Sequence, residues 1–226
     1  MVTRWLSYPM SRTAPRPPAI PEPQLTEFMS IEETGANVMF LQVYNHTGTH
    51  LDTSGHVFQG GTSICQFTPQ DLTYTRIMVI DMTGLPDDTV VIPDLLKPSL
   101  KSGSDAEALL VRFGVEDRRK NDSDRFSGHC PGFGKAAAAY IHSRMPRLRM
   151  IGTDVPSIAC IAHLDETMIA HNEFFASAKT EKFIIIEEMK LDEKLDGIRR
   201  MIVSPWLFEG MNSGPCVIWA EYQDES

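Results

Sequence analysis

Cysteine is scarce in this chain and is nowhere clustered. Cys65, Cys130, Cys160 and Cys216 stand far apart with no CxxC pair. That spacing excludes a zinc ribbon and a disulfide scaffold, and fits reduced structural thiols in a cytoplasmic protein. Long apolar runs are missing as well. No stretch approaches the roughly 20 residues that cross a bilayer, and the opening MVTRWLSYPM lacks the apolar core of a signal peptide. Positive charge is in deficit: 21 Lys and Arg against 30 Asp and Glu leave a net charge of -9. Nucleic acid is therefore excluded as a partner, because phosphate-backbone binding needs a basic surface. No membrane contact is expected either.

What is present is enough for one substantial core. A length of 226 residues sets one domain as the default. Residues 1–30 are rich in proline (Pro9, Pro15, Pro17, Pro18, Pro21 and Pro23) and predict an extended arm, since such spacing cannot form a helix. A disordered tail has the same composition. Trp5, Leu6, Tyr8 and Met10 favour an ordered arm, wrapped over the body or crossing to a partner subunit.

Residues 31–226 alternate strand and helix patterns. Strands are expected at 38–44, 76–81, 108–113, 148–153, 182–187, 200–204 and 217–222; several are apolar runs of the kind buried on both faces. Helices are expected at 135–145 and at 164–175, where Leu164, Met168, His171 and Phe175 share one face. The polar stretch 116–128 reads as a solvated loop. The sum is an α/β fold: a single compact domain with a central mixed β-sheet flanked by helices.

Three of the seven histidines fall inside the segment HTGTHLDTSGH, residues 46–56. His46, Gly48, His50 and Asp52 share parity, so on a strand continuing from 38–44 all four would face one way. Two imidazoles and a carboxylate at one point form a ligand set for zinc, manganese or iron. Gly48 leaves room beside them and permits unusual torsions. His56 follows the turn-like Thr53-Ser54-Gly55, which can fold it back as a proton carrier, because histidine titrates near neutrality. Remote ligands are needed too. The helix at 164–175 offers His171, and the strand at 182–187 offers Glu187 at its C-terminal end, the edge where α/β sites gather. Phe40, Tyr44, Phe58 and Phe67 are candidates for a pocket that takes a flat ring; such residues are as often core.

The segment resembles the signature His-x-Gly-Thr-His-x-Asp-x-Pro-x-His of the cyclase family, which includes bacterial kynurenine formamidases and isatin hydrolases. The opening WLSYPMSRTAP is similar to the family's Leu-Ser-x-Pro segment, IGTDVPSI at 151–158 to its Gly-x-Asp-x-Pro-Ser stretch, and IIEEMKL at 185–191 to its later glutamate-bearing strand. The resemblance implies His46, His50 and Asp52 as metal ligands, His56 as the acid–base residue, and His171 and Glu187 as the pair that completes a two-metal site. Asp154 would support the site.

Ser54 stands where the family has proline, which is expected to loosen the turn bearing His56. A longer spacing between His171 and Glu187 leaves a one-metal arrangement open. The activity implied is hydrolysis of an amide or cyclic amide, arylformamide or isatin-like, by water activated at one or two divalent ions, Mn2+ or Zn2+. A small-molecule substrate and a homodimer or higher homo-oligomer are implied with it. Action on a lactone, a dehydration or cyclisation, and a non-catalytic metal-binding protein remain as alternatives.

Overall fold

A computed structural model gives the architecture; it describes residues 2–16, 19–100, 104–192 and 194–223, with the backbone alone at 166 and 167. Among the described residues one large sheet holds β1 (Val2–Trp5), β2 (His50–Asp52), β3 (Thr73–Tyr74), β4 (Ile77–Asp81), β5 (Ala108–Arg112), β6 (Met150–Thr153), β7 (Ile184–Glu187), β8 (Ile198–Pro205) and β9 (Ser213–Tyr222). Their spatial order is β3-β8-β9-β2-β7-β6-β5-β4, and β1 pairs with β9. Strands β4 to β7 run parallel to one another, while β2, β3, β8 and β9 pair antiparallel. The sheet is therefore mixed, as expected. It also curls: β8 touches β4, bringing it near a closed barrel.

Parallel neighbours require crossovers, and helices supply them. Lys135–Arg144 lies between β5 and β6, and Leu164–Ala176 between β6 and β7. Leu109, Val111, Ile151 and Ile185 face these helices and pack with Phe133, Phe174 and Phe183. Their alternate neighbours Ala108, Leu110, Met150, Ile184 and Ile186 enter a second core with Leu51, Tyr74 and Ile218. Both faces are dry, which is why the central strands read as unbroken apolar runs. None of the helices is long and apolar enough to cross a membrane, among the described residues.

Several expectations need correction. The run at 38–44 is no core strand: among the described residues Val38–Gln42 pairs only with Gln24–Met29, in a separate hairpin, and every residue of both strands is exposed. It therefore does not run on into the histidine segment. The stretch 116–128 is not a loop but two short helices, Glu116–Asn121 and Ser123–Gly128. The Asp122 side chain caps the second by accepting from Arg125 N, and buried Phe126 anchors it, so the polar residues are only its solvent side. On Leu164–Ala176 the buried face is Ala170, His171, Phe174 and Phe175, while Leu164 and Met168 are exposed.

The arm is ordered at its start: Val2–Trp5 is an extended strand of the main sheet, and Leu6 is buried. Pro17 and Pro18 lie outside the described residues.

Candidate metal centre

The site begins with strand register. β2 lies between β7 and β9, and pairs His50 with Glu187 on one side and Asp52 with Ser213 on the other. His50 and Asp52, two residues apart, share a face, as the pleat requires. His46 gets there differently. No strand carries it. The chain reverses at Gly48, whose φ of +66° suits a residue without a Cβ, and the turn folds His46 back until its Nδ1 is 3.0 Å from His50 Nε2. Strand parity thus aligns His50 and Asp52, while a turn brings in His46.

The remote pair closes the constellation. Helix Leu164–Ala176 presents His171 with Nε2 3.1 Å from Glu187 Oε1, and the other carboxylate oxygen of Glu187 is 3.1 Å from His50 Nε2. Asp52 Oδ2 lies 3.9 Å from His171 Nε2, and Asp52 Oδ1 lies 3.6 Å from His46 Nδ1. The His56 ring sits 4.6 Å from that of His46 and 6.0 Å from that of His171, centroid to centroid. All six sequence-predicted residues are brought together, across the 16 residues that separate His171 from Glu187. Two overlapping donor sets result, His46–His50–Asp52–Glu187 and Asp52–His56–His171, each with donor atoms within 4.8 Å of one another.

The turn that carries His56 is not loose. Ser54–His56 is one 3-10 turn, and Ser54 Oγ accepts the amide of Thr62 at 2.9 Å. Thr53 Oγ1 donates to Asn212 O at 2.7 Å, and Asn212 Nδ2 returns a bond to Gly55 O at 3.0 Å. A Cβ on Gly55 would sit 2.6 Å from Thr62 O, so only glycine fits there. Hydrogen bonds here do the work that the missing proline ring would do.

Electrostatics and unsatisfied atoms test whether an ion fits. Burial and the neighbouring His50 hold His46 down to about 4, in the neutral form that ligates. For His50 burial acts the same way, but the hydrogen bond and charge of Glu187 outweigh it and push the ring up to about 9. Burial works to raise Glu187, yet bonds from His171 and His50 keep its carboxyl well below the usual carboxylate range. His50 Nδ1 donates to Gly48 O at 2.8 Å, so Nε2 is the nitrogen that would turn to an ion once the proton it shares with Glu187 leaves. Asp52 Oδ2 is buried with no hydrogen-bond partner, a costly state without a cation. Donors about 2.0–2.1 Å from one ion sit roughly 3 Å from each other, as the 3.0 and 3.1 Å contacts do. Imidazoles and carboxylates without thiolate suit zinc or manganese. The residues fit a divalent metal.

Sequence reasoning missed Ser213. Its Oγ donates to Asp52 Oδ1 at 2.5 Å and lies 3.4 Å from His46 Nδ1. Only the β9–β2 register brings it there, and no local pattern marks it. The aromatic expectation also needs correction. Phe40 and Tyr44 are exposed and Phe67 is core. A cavity of about 500 Å³ is lined instead by Trp5, Tyr8, Met10, Gly48, Trp206 and Val217, among other residues that include none of the four.

Comparisons with known proteins give the family and the fold. The family model described as Putative cyclase matches residues 5–159, which ends short of His171 and Glu187. Cyclase-like protein 2 of Arabidopsis thaliana is 25% identical over 189 residues, 81% of this chain and 65% of that protein, so the match spans under two thirds of the plant relative. The kynurenine formamidase of Bacillus thuringiensis subsp. konkukian (strain 97-27) is 26% identical over 187 residues, covering 82% of this chain and 81% of that enzyme. Among solved structures, isatin hydrolase A from Ralstonia solanacearum superposes with a TM-score of 0.77 at 15% identity, over 97% of this chain and 91% of that one. Isatin hydrolase A from Labrenzia aggregata bound to benzyl benzoate also gives 0.77, at 16% identity, over 98% and 94%. These structural likenesses carry the fold.

Proposed function

Starting from a chain that belongs to the cyclase family, we propose that it is a metal-dependent hydrolase of a small-molecule amide or cyclic amide. The observation that carries this is the convergence of His46, His50, Asp52, His171 and Glu187, with Glu187 bridging two imidazoles at 3.1 Å. Relatives named kynurenine formamidase and neighbours named isatin hydrolase support an arylformamide or isatin-like substrate.

His46, His50 and Asp52 are read as ligands, with Glu187 and His171 extending the set to one or two ions, Mn2+ or Zn2+. Such an ion lowers the pKa of water from 15.7 towards about 7 and polarises a carbonyl. The chain's own part is positional. Ser213 fixes Asp52, the Gly48 carbonyl fixes His50, and the hydrogen-bonded turn holds His56 beside both donor sets. His56 takes the proton of the attacking water and delivers it to the leaving nitrogen.

The chain is also read as a homodimer or larger homo-oligomer. An isolated two-stranded hairpin is marginal in water, and this one exposes Leu25, Phe28, Met39, Phe40 and Leu41. A second copy of the chain is the covering partner.

The test is to quantify metal per chain and assay N-formyl arylamines, isatin and simple lactones. Metal-dependent hydrolysis of either of the first two supports the reading. A metal-replete sample inert across the panel rejects it.

A further inference from the structure

Glu188, next to the candidate ligand Glu187, is neither exposed nor relaxed. It is 3% exposed, and its φ of +54° lies in the left-handed region that a residue with a Cβ seldom occupies. Such a conformation persists only where the surroundings over-determine it, and such sites gather at functional centres. A closed ring of contacts over-determines this one. Arg119 donates from Nε at 2.9 Å and from Nη2 at 2.7 Å to Glu188 Oε1. The guanidinium lies over the Tyr8 ring, 3.7 Å from its centroid. The Tyr8 amide donates to Thr49 Oγ1 at 3.0 Å. Thr49 Oγ1 in turn donates to Glu188 O at 2.6 Å. The chain of contacts returns to where it began.

This closed circuit joins four segments: the N-terminal arm, the helix Glu116–Asn121, the strand end at Glu187 and the histidine segment at Thr49. Thr49 sits directly before His50, and Glu188 directly after Glu187, so the circuit clamps the backbone of both candidate ligands. The helix is fixed at its own base. Asp154 accepts the amides of Phe113 and Gly114 at 2.8 Å each and that of Val115 at 3.3 Å. On the arm side, Lys190 N donates to Leu6 O at 3.0 Å.

We propose that Tyr8, Arg119, Glu188 and Thr49 form a positioning circuit that sets the His50–Glu187 geometry, making the N-terminal arm part of the metal site. None of the four is a ligand. Groups that orient ligands in this way tune metal affinity by roughly 10–100-fold. The inference rests on the metal reading proposed above, and its test separates the two.

The variants are Arg119→Ala, Arg119→Lys, Tyr8→Ala and Tyr8→Phe. Zinc affinity is measured by chelator competition, the visible spectrum of the cobalt-substituted protein reports ligand geometry, and metal-free thermal unfolding controls for folding. Arg119→Ala and Tyr8→Ala are expected to lose roughly 10–100-fold in zinc affinity and to shift the cobalt bands. Tyr8→Phe, which keeps the ring face, is expected to match wild type, and Arg119→Lys to fall between. Wild-type affinity and an unshifted spectrum in folded Arg119→Ala would overturn the circuit. If the wild-type protein takes up no metal, the functional reading fails first. Amide exchange at Thr49, His50, Glu187 and Glu188 in the metal-free protein then decides: faster exchange in Arg119→Ala than in Tyr8→Phe supports the circuit, and equal exchange overturns it.

Discussion

His50 and Glu187 face each other as a register pair on antiparallel strands, with His50 Nε2 3.1 Å from Glu187 Oε2. The two come from opposite halves of the chain, and the mixed sheet is what joins them. An antiparallel β2 inserted next to the last parallel strand puts the histidine segment at the C-terminal end of β7. Consequences follow for individual side chains.

Ser213→Ala removes the bond to Asp52 Oδ1 and frees a carboxylate that is 0% exposed. Metal affinity should fall by roughly 10–100-fold, the usual weight of a bond that orients a ligand. Isothermal titration with zinc or manganese checks this. Unchanged affinity would show that the strand register alone positions Asp52.

His56→Ala should leave metal content intact and lower turnover by roughly 10²–10⁴-fold, the typical contribution of a general acid–base group. Steady-state kinetics on metal-loaded protein measure it. Full turnover with metal bound contradicts the role given to His56, and loss of metal would make it a ligand instead.

Phe28→Lys combined with Phe40→Lys should convert an oligomer into a folded monomer, because both rings stand exposed on the hairpin, at 69% and 56%. Light scattering reads the mass, and circular dichroism confirms the fold. A wild-type monomer, or an oligomer untouched by the double substitution, would contradict the assembly.

Stability should depend on pH through His142, away from the metal centre. It is 3% exposed, between Phe183 and Phe174, and burial lowers it from 6.5 to about 4. Between those values the unfolded chain binds a proton that the folded chain refuses. Stability therefore rises with pH across the window and is lost as pH falls through it, by about 1.4 kcal/mol per unit. Urea unfolding from pH 7 to 4.5 should show this slope, and His142→Leu should flatten it.

The histidine segment was legible because three histidines and an aspartate within residues 46–56 have no ordinary structural use. The central strands were legible because burial on both faces leaves an unbroken apolar run. What misled was an apolar pattern outside the core. The run at 38–42 has the composition of a core strand, yet this chain leaves it exposed in a hairpin. A pattern of side chains does not say whether the surface covering them is the same chain. Ser213, Arg119 and Glu188 were unreadable for another reason: each acts through a pairing of strands or segments far apart in sequence, with no local spacing to betray it. The longer path from His171 to Glu187 left a one-metal arrangement open; the helix ends at Ala176 and the chain crosses to β7 with room to bring the two side chains together.

Metal content per chain tests the central claim most directly. The wild-type protein, dialysed against zinc or manganese and then against metal-free buffer, is measured by elemental mass spectrometry beside His50→Ala and Glu187→Gln. The account predicts one or two ions retained by wild type and a loss of at least one in each variant, with both variants still folded by circular dichroism. Wild-type protein that retains none, or variants that retain as much as wild type, would contradict it.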